Sequence, residues 1–341
     1  MKKFICLGLV FVMAFPLFAG GGGEKKAAGG KVIIYTSMYQ DVIDAVKGEL
    51  NKQFPKYDIE FVYGGTGGIQ AKIASEQASG RLGCDILMVA EPAYSLELKE
   101  KGLLYAHKSK EASSLAFDYD PDGYWYPVRI SNMVLAYNPD KYAKTAVPNS
   151  FESFANDSSV RNAVSMRNPL TSGTAMAAVS ALRDKYGYVY FNELGRQNIQ
   201  IDYNTDIMLK KLETGENKVV MVLEESILKV REEGSRLEVI YPTDGTVVIP
   251  STIMIINSKW SASRNTQAAE AITDWFLSEA GQNAIVSGWM HSVRTNFPRI
   301  PYDSRPTADI WADRIPINWE TNFRQRQEIQ DRFQEYMASR N

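Results

Sequence analysis

The sequence predicts an α/β protein of two lobes, each an open sheet flanked by helices, joined by a two-strand hinge. Three observations predict it. Strand-like and helix-like runs alternate through residues 32–89. A second alternating set fills residues 164–241. Two long extended runs, residues 127–138 and 250–256, bracket that middle third. Such alternation marks a largely parallel sheet with helical crossovers. A chain of 341 residues suits two domains of about 100–200 residues each.

Residues 1–19 read as an export signal. Lys2 and Lys3 make a basic start, residues 4–18 are almost wholly apolar, and Ala19 offers a cleavage point, although Leu17 is large two residues before it. The run is too short to span a membrane. Cys6 lies inside the signal, so no lipid-bearing cysteine follows, and a soluble periplasmic protein is expected. Residues 20–30, of Gly, Ala, Lys and Glu, read as a flexible leader. Losing Lys2 and Lys3 turns the net charge from −2 to −4, too mild to suggest nucleic-acid binding. Cys84 is then alone, in an apolar strand, and reads as a core residue.

Val32, Ile33, Ile34 and Tyr35 form a β-branched strand, and Thr36-Ser37 leads into a helix with Val42, Ile43, Val46 and Leu50 spaced by three and four. Residues 59–63 alternate as a second strand. Thr66-Gly67-Gly68 then opens a helix through Ile69 and Ile73, and residues 85–89 make a third strand. In the second set, the strand at 164–166 precedes Thr171-Ser172-Gly173-Thr174 and a helix carrying Met176, Val179, Leu182 and Tyr186. A helix at 207–212, a strand at 218–223, a helix through Ile227 and Val230, and a strand at 237–241 follow. A helix is expected at 267–276, and an amphipathic one from Trp319 with Ile329 and Phe333 on its apolar face. The expected division is residues 31–128 with 253–341 as lobe one and 129–252 as lobe two, with the ligand between them at the carboxyl ends of the strands.

Three strand-to-helix junctions carry Ser, Thr and Gly: Thr36-Ser37, Thr66-Gly67-Gly68 and Ser172-Gly173-Thr174. In an open α/β sheet such junctions share one edge. Their free N–H groups and helix dipoles hold an anion even without Lys or Arg. The same residues also make ordinary helix N-caps. Acids follow strands at Glu91 and at Glu224-Glu225, and Asp206 follows Asn204-Thr205. They read either as acceptors for ligand hydroxyls or amines, or as first-turn helix acids. His107 and His291 lack metal-binding spacing and read as surface or packing residues. No Gly-x-Ser-x-Gly elbow is present. An exported hydrolase of phosphate esters, working through paired carboxylates, also stays open, since its geometry is invisible in sequence.

The chain resembles the solute-binding proteins of bacterial ABC importers, in the branch of ferric-iron, hexose-phosphate and aminoethylphosphonate binders. The resemblance rests on residues 32–37, on Asp85-Ile86-Leu87 before Glu91, on Thr171-Ser172-Gly173, on Gly215-Glu216 before the 218–223 strand, and on Pro316-Ile317-Asn318-Trp319. It implies the type II periplasmic-binding-protein fold, no catalysis, no cofactor, a monomer, and a permease partner in the inner membrane. It also implies a phosphate side at Ser172, Gly173, Thr174 and Asn204. The iron side of ferric binders is not kept. Tyr39 stands in the first loop, Glu91 is retained, and Glu224-Glu225 replaces a Tyr-Tyr pair. The carboxylates are still able to bind a metal. A small anionic ligand is therefore expected, held by Ser37, Tyr39, Thr66, Gly67, Gly68, Glu91, Asp206, Glu224 and Glu225 beside the phosphate side. Hexose phosphate is first, with an aminophosphonate or Fe(III) as alternatives.

Overall fold

The β-branched run that follows residue 30 pairs on both sides and anchors a ten-stranded sheet. The computed structural model describes residues 29–339, so the signal and most of the leader lie outside the described residues. The strands are β1 (Lys31–Thr36), β2 (Asp58–Tyr63), β3 (Ile86–Ala90), β4 (Leu104–Tyr105), β5 (Tyr126–Tyr137), β6 (Val164–Arg167), β7 (Gln200–Asp202), β8 (Val219–Leu223), β9 (Glu238–Ile240) and β10 (Val247–Ile256). The α-helices are α1 (Gln40–Gln53), α2 (Thr66–Ala78), α3 (Pro92–Glu100), α4 (Phe151–Asn156), α5 (Gly173–Tyr186), α6 (Val189–Arg196), α7 (Thr205–Thr214), α8 (Glu224–Glu232), α9 (Thr266–Leu277), α10 (Glu279–Ser287), α11 (Thr307–Ala312) and α12 (Trp319–Ala338).

The strand order is β2-β1-β3-β10-β5-β8-β6-β7, with β4 on β10 and β9 on β5. Two parallel triplets result. In one, β1 lies between β2 and β3; in the other, β6 lies between β8 and β7. The long strands β5 and β10 pair antiparallel to each other and to the triplets beside them. The two sheets expected from sequence are thus one continuous ladder, and the two hinge runs are its central strands. Both are buried along their whole length. A strand covered on both faces favours a near-continuous apolar run. The polar interruptions Arg129, Ser131 and Asn132 in β5, and Ser251 and Thr252 in β10, fall where the two triplets meet.

Helices cover both faces. In α1, Val42, Ile43, Val46 and Leu50 are buried, as their spacing predicts. They share one core with Val32, Ile34 and Met88, while Tyr35, Ile73, Cys84 and Leu87 form another. A separate cluster joins Val164, Met166, Val179, Leu182 and Phe191. Helix α12 docks on that cluster through Ile329 and Phe333, with the Phe333 ring edge-on to Phe191 at 5.4 Å. Full burial of each such side chain contributes roughly 1.5–3 kcal/mol, which holds a polar helix that propensity alone does not. Helix α3, which the sequence reading passed over, begins at Pro92, a residue suited to a first helical turn.

Candidate functional site

The three Ser/Thr/Gly junctions meet. Ser37 after β1, Thr66 at the start of α2, and Ser172, Gly173 and Thr174 at the start of α5 line one small chamber. Its volume is about 40 Å³, room for roughly three waters. The two sides touch. A Cβ on Gly173 would lie 2.7 Å from Thr66 Oγ1, and the Gly67 N–H donates to the Thr171 carbonyl at 3.3 Å. Ser172 is also a true N-cap, accepting from the Ala175 N–H at 3.3 Å and sharing a hydrogen bond with Thr174 Oγ1 at 3.1 Å. The cap reading is therefore borne out, and the anion seat expected from sequence would lie in this chamber. The N–H groups of Gly173 and Thr174, first in α5, have no acceptor inside the helix.

The sequence reading held that such junctions bind an anion even without Lys or Arg, and it did not single out the two arginines at this chamber. Arg129 of β5 and Arg167 of β6 both line it. Arg129 is only 2% exposed. Its Nη2 donates to Ser37 Oγ at 3.3 Å, its Nη1 reaches only the Met290 sulfur at 2.8 Å, and its Nε has no partner. Arg167 Nη1 donates to Thr205 Oγ1 at 2.7 Å, and its buried Nε is also unpartnered. A buried guanidinium with so few acceptors is costly until an anion completes it. Burial pulls the Arg129 pKa down, against Glu225 and Tyr39, which raise it. The signal was present in the sequence: Arg129 is a charge inside an apolar strand, and such residues are seldom buried without a partner.

A second chamber of about 240 Å³ shares Tyr39 and Tyr63 with the seat. Thr205, Asp206, Leu209, Glu225, Lys229 and Trp289 complete most of its wall. Glu225 is 4% exposed and accepts from Ser131 Oγ at 2.8 Å. Burial pushes its carboxyl up to about 7, opposed by Ser131 and Arg129 and reinforced by Glu224. Burial also raises the Tyr39 phenol, with Glu225 adding to the shift and Arg167 and Thr205 opposing it. Lys229 is bonded to Asp41 across the chamber.

Five expected site residues lie elsewhere. Glu91 is buried with a φ of 80°, and its carboxylate is taken by Arg326 of α12. Glu224 is also buried. It accepts from Asn132 Nδ2 at 3.1 Å, from His291 Nε2 at 3.1 Å, from Ser304 Oγ at 2.6 Å and from the Tyr241 hydroxyl. Asn204 caps α7, accepting the Asp206 N–H at 2.7 Å. Gly67 meets the Leu170 and Thr171 backbone, and Gly68 faces open space. Among the described residues, no three His, Cys, Asp or Glu side chains gather in a way suited to a metal.

The description "bacterial extracellular solute-binding protein" belongs to a family profile that matches residues 84–321. No curated protein sequence matches the chain. Among solved structures, the periplasmic binding protein AfuA from Actinobacillus pleuropneumoniae, with fructose-6-phosphate bound, is similar at 19% identity and a TM-score of 0.77, over 91% of this chain and 99% of that one. Iron-bound HitA from Pseudomonas aeruginosa gives 19% and 0.77, over 90% and 99%. A substrate-binding protein of an ABC transporter from Agrobacterium tumefaciens gives 14% and 0.80, over 92% and 96%. At these identities the likeness is one of fold.

Proposed function

The chain belongs to the bacterial extracellular solute-binding proteins, and on that premise we propose that it captures a phosphorylated small molecule, hexose phosphate first, for an ABC permease. The observation that carries this reading is Arg129, buried, short of acceptors, and set with Arg167 against the α5 N-terminus around a chamber of anion size. The phosphate sits in that seat. The rest of the ligand fills the wider chamber, where Asp206, Thr205 and Glu225 accept or donate to its hydroxyls. Residues 31–128 with the return after 252 act as one lobe and 129–252 as the other, with α12 packed across both. Opening about β5 and β10 admits the ligand, and closure buries it. Each charged hydrogen bond contributes about 1.5–3 kcal/mol.

An aminophosphonate is the second reading, favoured by the acids Asp206 and Glu225 beside the seat. Capture of Fe(III) is less well supported, because Glu91 and Glu224 are already held by Arg326 and His291. Calorimetry with glucose 6-phosphate, free glucose and inorganic phosphate tests the proposal. Glucose 6-phosphate is expected to bind at least about 100-fold more tightly than glucose, the equivalent of one strong charged hydrogen bond. Equal affinities would sink the anion reading.

A further inference from the structure

The seat and the wider chamber are lined by six charged side chains: Arg129, Arg167 and Lys229 against Asp41, Asp206 and Glu225. With all six ionised the cleft is neutral, so an entering dianion brings two uncompensated charges into a partly desolvated space. Three of the six are already engaged, and Asp206 is exposed to solvent. Lys229 bonds Asp41 and feels Asp206, and Arg167 bonds Thr205. Glu225 differs. Its carboxyl has one side-chain partner, Ser131 of β5, and its neighbouring cation is Arg129, the guanidinium that faces the seat. The other ionisable groups that face it are Tyr39 from the loop after β1 and Glu224 on its own helix. While Glu225 is ionised it neutralises Arg129 and repels a dianion. Protonated, it does neither, and it can donate a hydrogen bond.

We infer that the Glu225 carboxyl takes up one proton from solvent when a phosphate-ester dianion enters the seat, so that ligand and proton are captured together. This rests on the phosphate reading above. Burial already brings Glu225 to about 7, so the uptake needs little work near neutral pH. Glu224 does not compete for the proton, because four donors hold it ionised.

The test is calorimetry of glucose 6-phosphate and of inorganic phosphate at pH 8 in two buffers with unlike heats of ionisation. A phosphate monoester, with its second pKa of about 6, is already a dianion there. The heat difference is expected to report close to one proton taken up per ligand by the wild type and none by Glu225→Gln. Wild-type affinity is expected to fall about tenfold per pH unit above 7, while Glu225→Gln stays level. Binding without proton uptake, or uptake that persists in Glu225→Gln, overturns the inference and leaves the phosphate reading standing. Failure of both ligands to bind overturns both. The wild-type titrations decide the matter even if the variant does not fold.

Discussion

Glu224 and Glu225 are consecutive, chemically identical and almost equally buried, yet β8 delivers them to opposite regions. Glu224 enters a closed network with Asn132, Tyr241, His291 and Ser304. Glu225 faces the cleft with Ser131 as its single side-chain donor. Burial alone would raise both carboxyls. For Glu224 the hydrogen bonds from His291, Ser304 and Tyr241 outweigh burial and hold it below the usual range. For Glu225 burial wins. The difference teaches how two identical acids part company: a buried charge with all its partners steadies the fold, and one short of partners keeps capacity for a further group.

The contrast is sharpest in stability. Glu224→Ala is expected to cost about 3–5 kcal/mol in urea unfolding, because it strips one side of a buried pair. Glu225→Ala is expected to cost far less. The pH signatures oppose each other. Glu224, with its pKa lowered, contributes stability above its ordinary value and loses it as pH falls through the lowered one. Glu225, with its pKa raised, contributes most below the ordinary value, and its contribution falls as pH rises towards about 7. Unfolding midpoints measured from pH 2.5 to pH 8 on both variants would break the comparison if the two curves shifted the same way.

Arginine substitutions carry the contrast to the ligand. Arg129→Met is expected to lose about 10- to 150-fold in glucose 6-phosphate affinity. Below about pH 7, where Glu225 is protonated and needs no cation, it should also raise the urea midpoint of the ligand-free protein, since it removes an under-satisfied buried charge. A drop in both would mark Arg129 as structural, like Glu224. Gly173→Val is expected to act more modestly, weakening phosphorylated ligands about tenfold, the scale of the roughly 1–3 kcal/mol that overpacking costs. Its Cβ meets Thr66 from the facing junction. Unchanged affinity, with unchanged compaction by small-angle scattering on adding ligand, would remove that turn from the site.

Much of the fold was legible because periodicity and strand-helix alternation are local. The spacing of Val42, Val46 and Leu50 marks a buried helix face wherever the helix lies. The junctions at Ser37, Thr66 and Ser172 were legible for a topological reason, since parallel strands place all such turns on one edge. The partners of Glu91 and Glu224 were not legible, because every acid at a strand end looks alike. Their partners lie 235 and 67 residues away, at Arg326 and His291. The capping role of Asn204 was not separable from a ligand contact, because both use the same side chain.

The sequence by itself determined the alternating α/β order, the two long crossing runs, and a polar edge rich in hydroxyls and helix N-termini. These follow from hydrophobic period and turn chemistry, which act over a few residues. Only the tertiary structure decided which charges face that edge. It joined both crossings into one ladder, brought Arg129 and Arg167 to the small chamber between the junctions, and turned Glu225 into the wider chamber and Glu224 away from it. The reason is that the fate of a buried charge depends on the partners around it, and those partners come from distant parts of the chain.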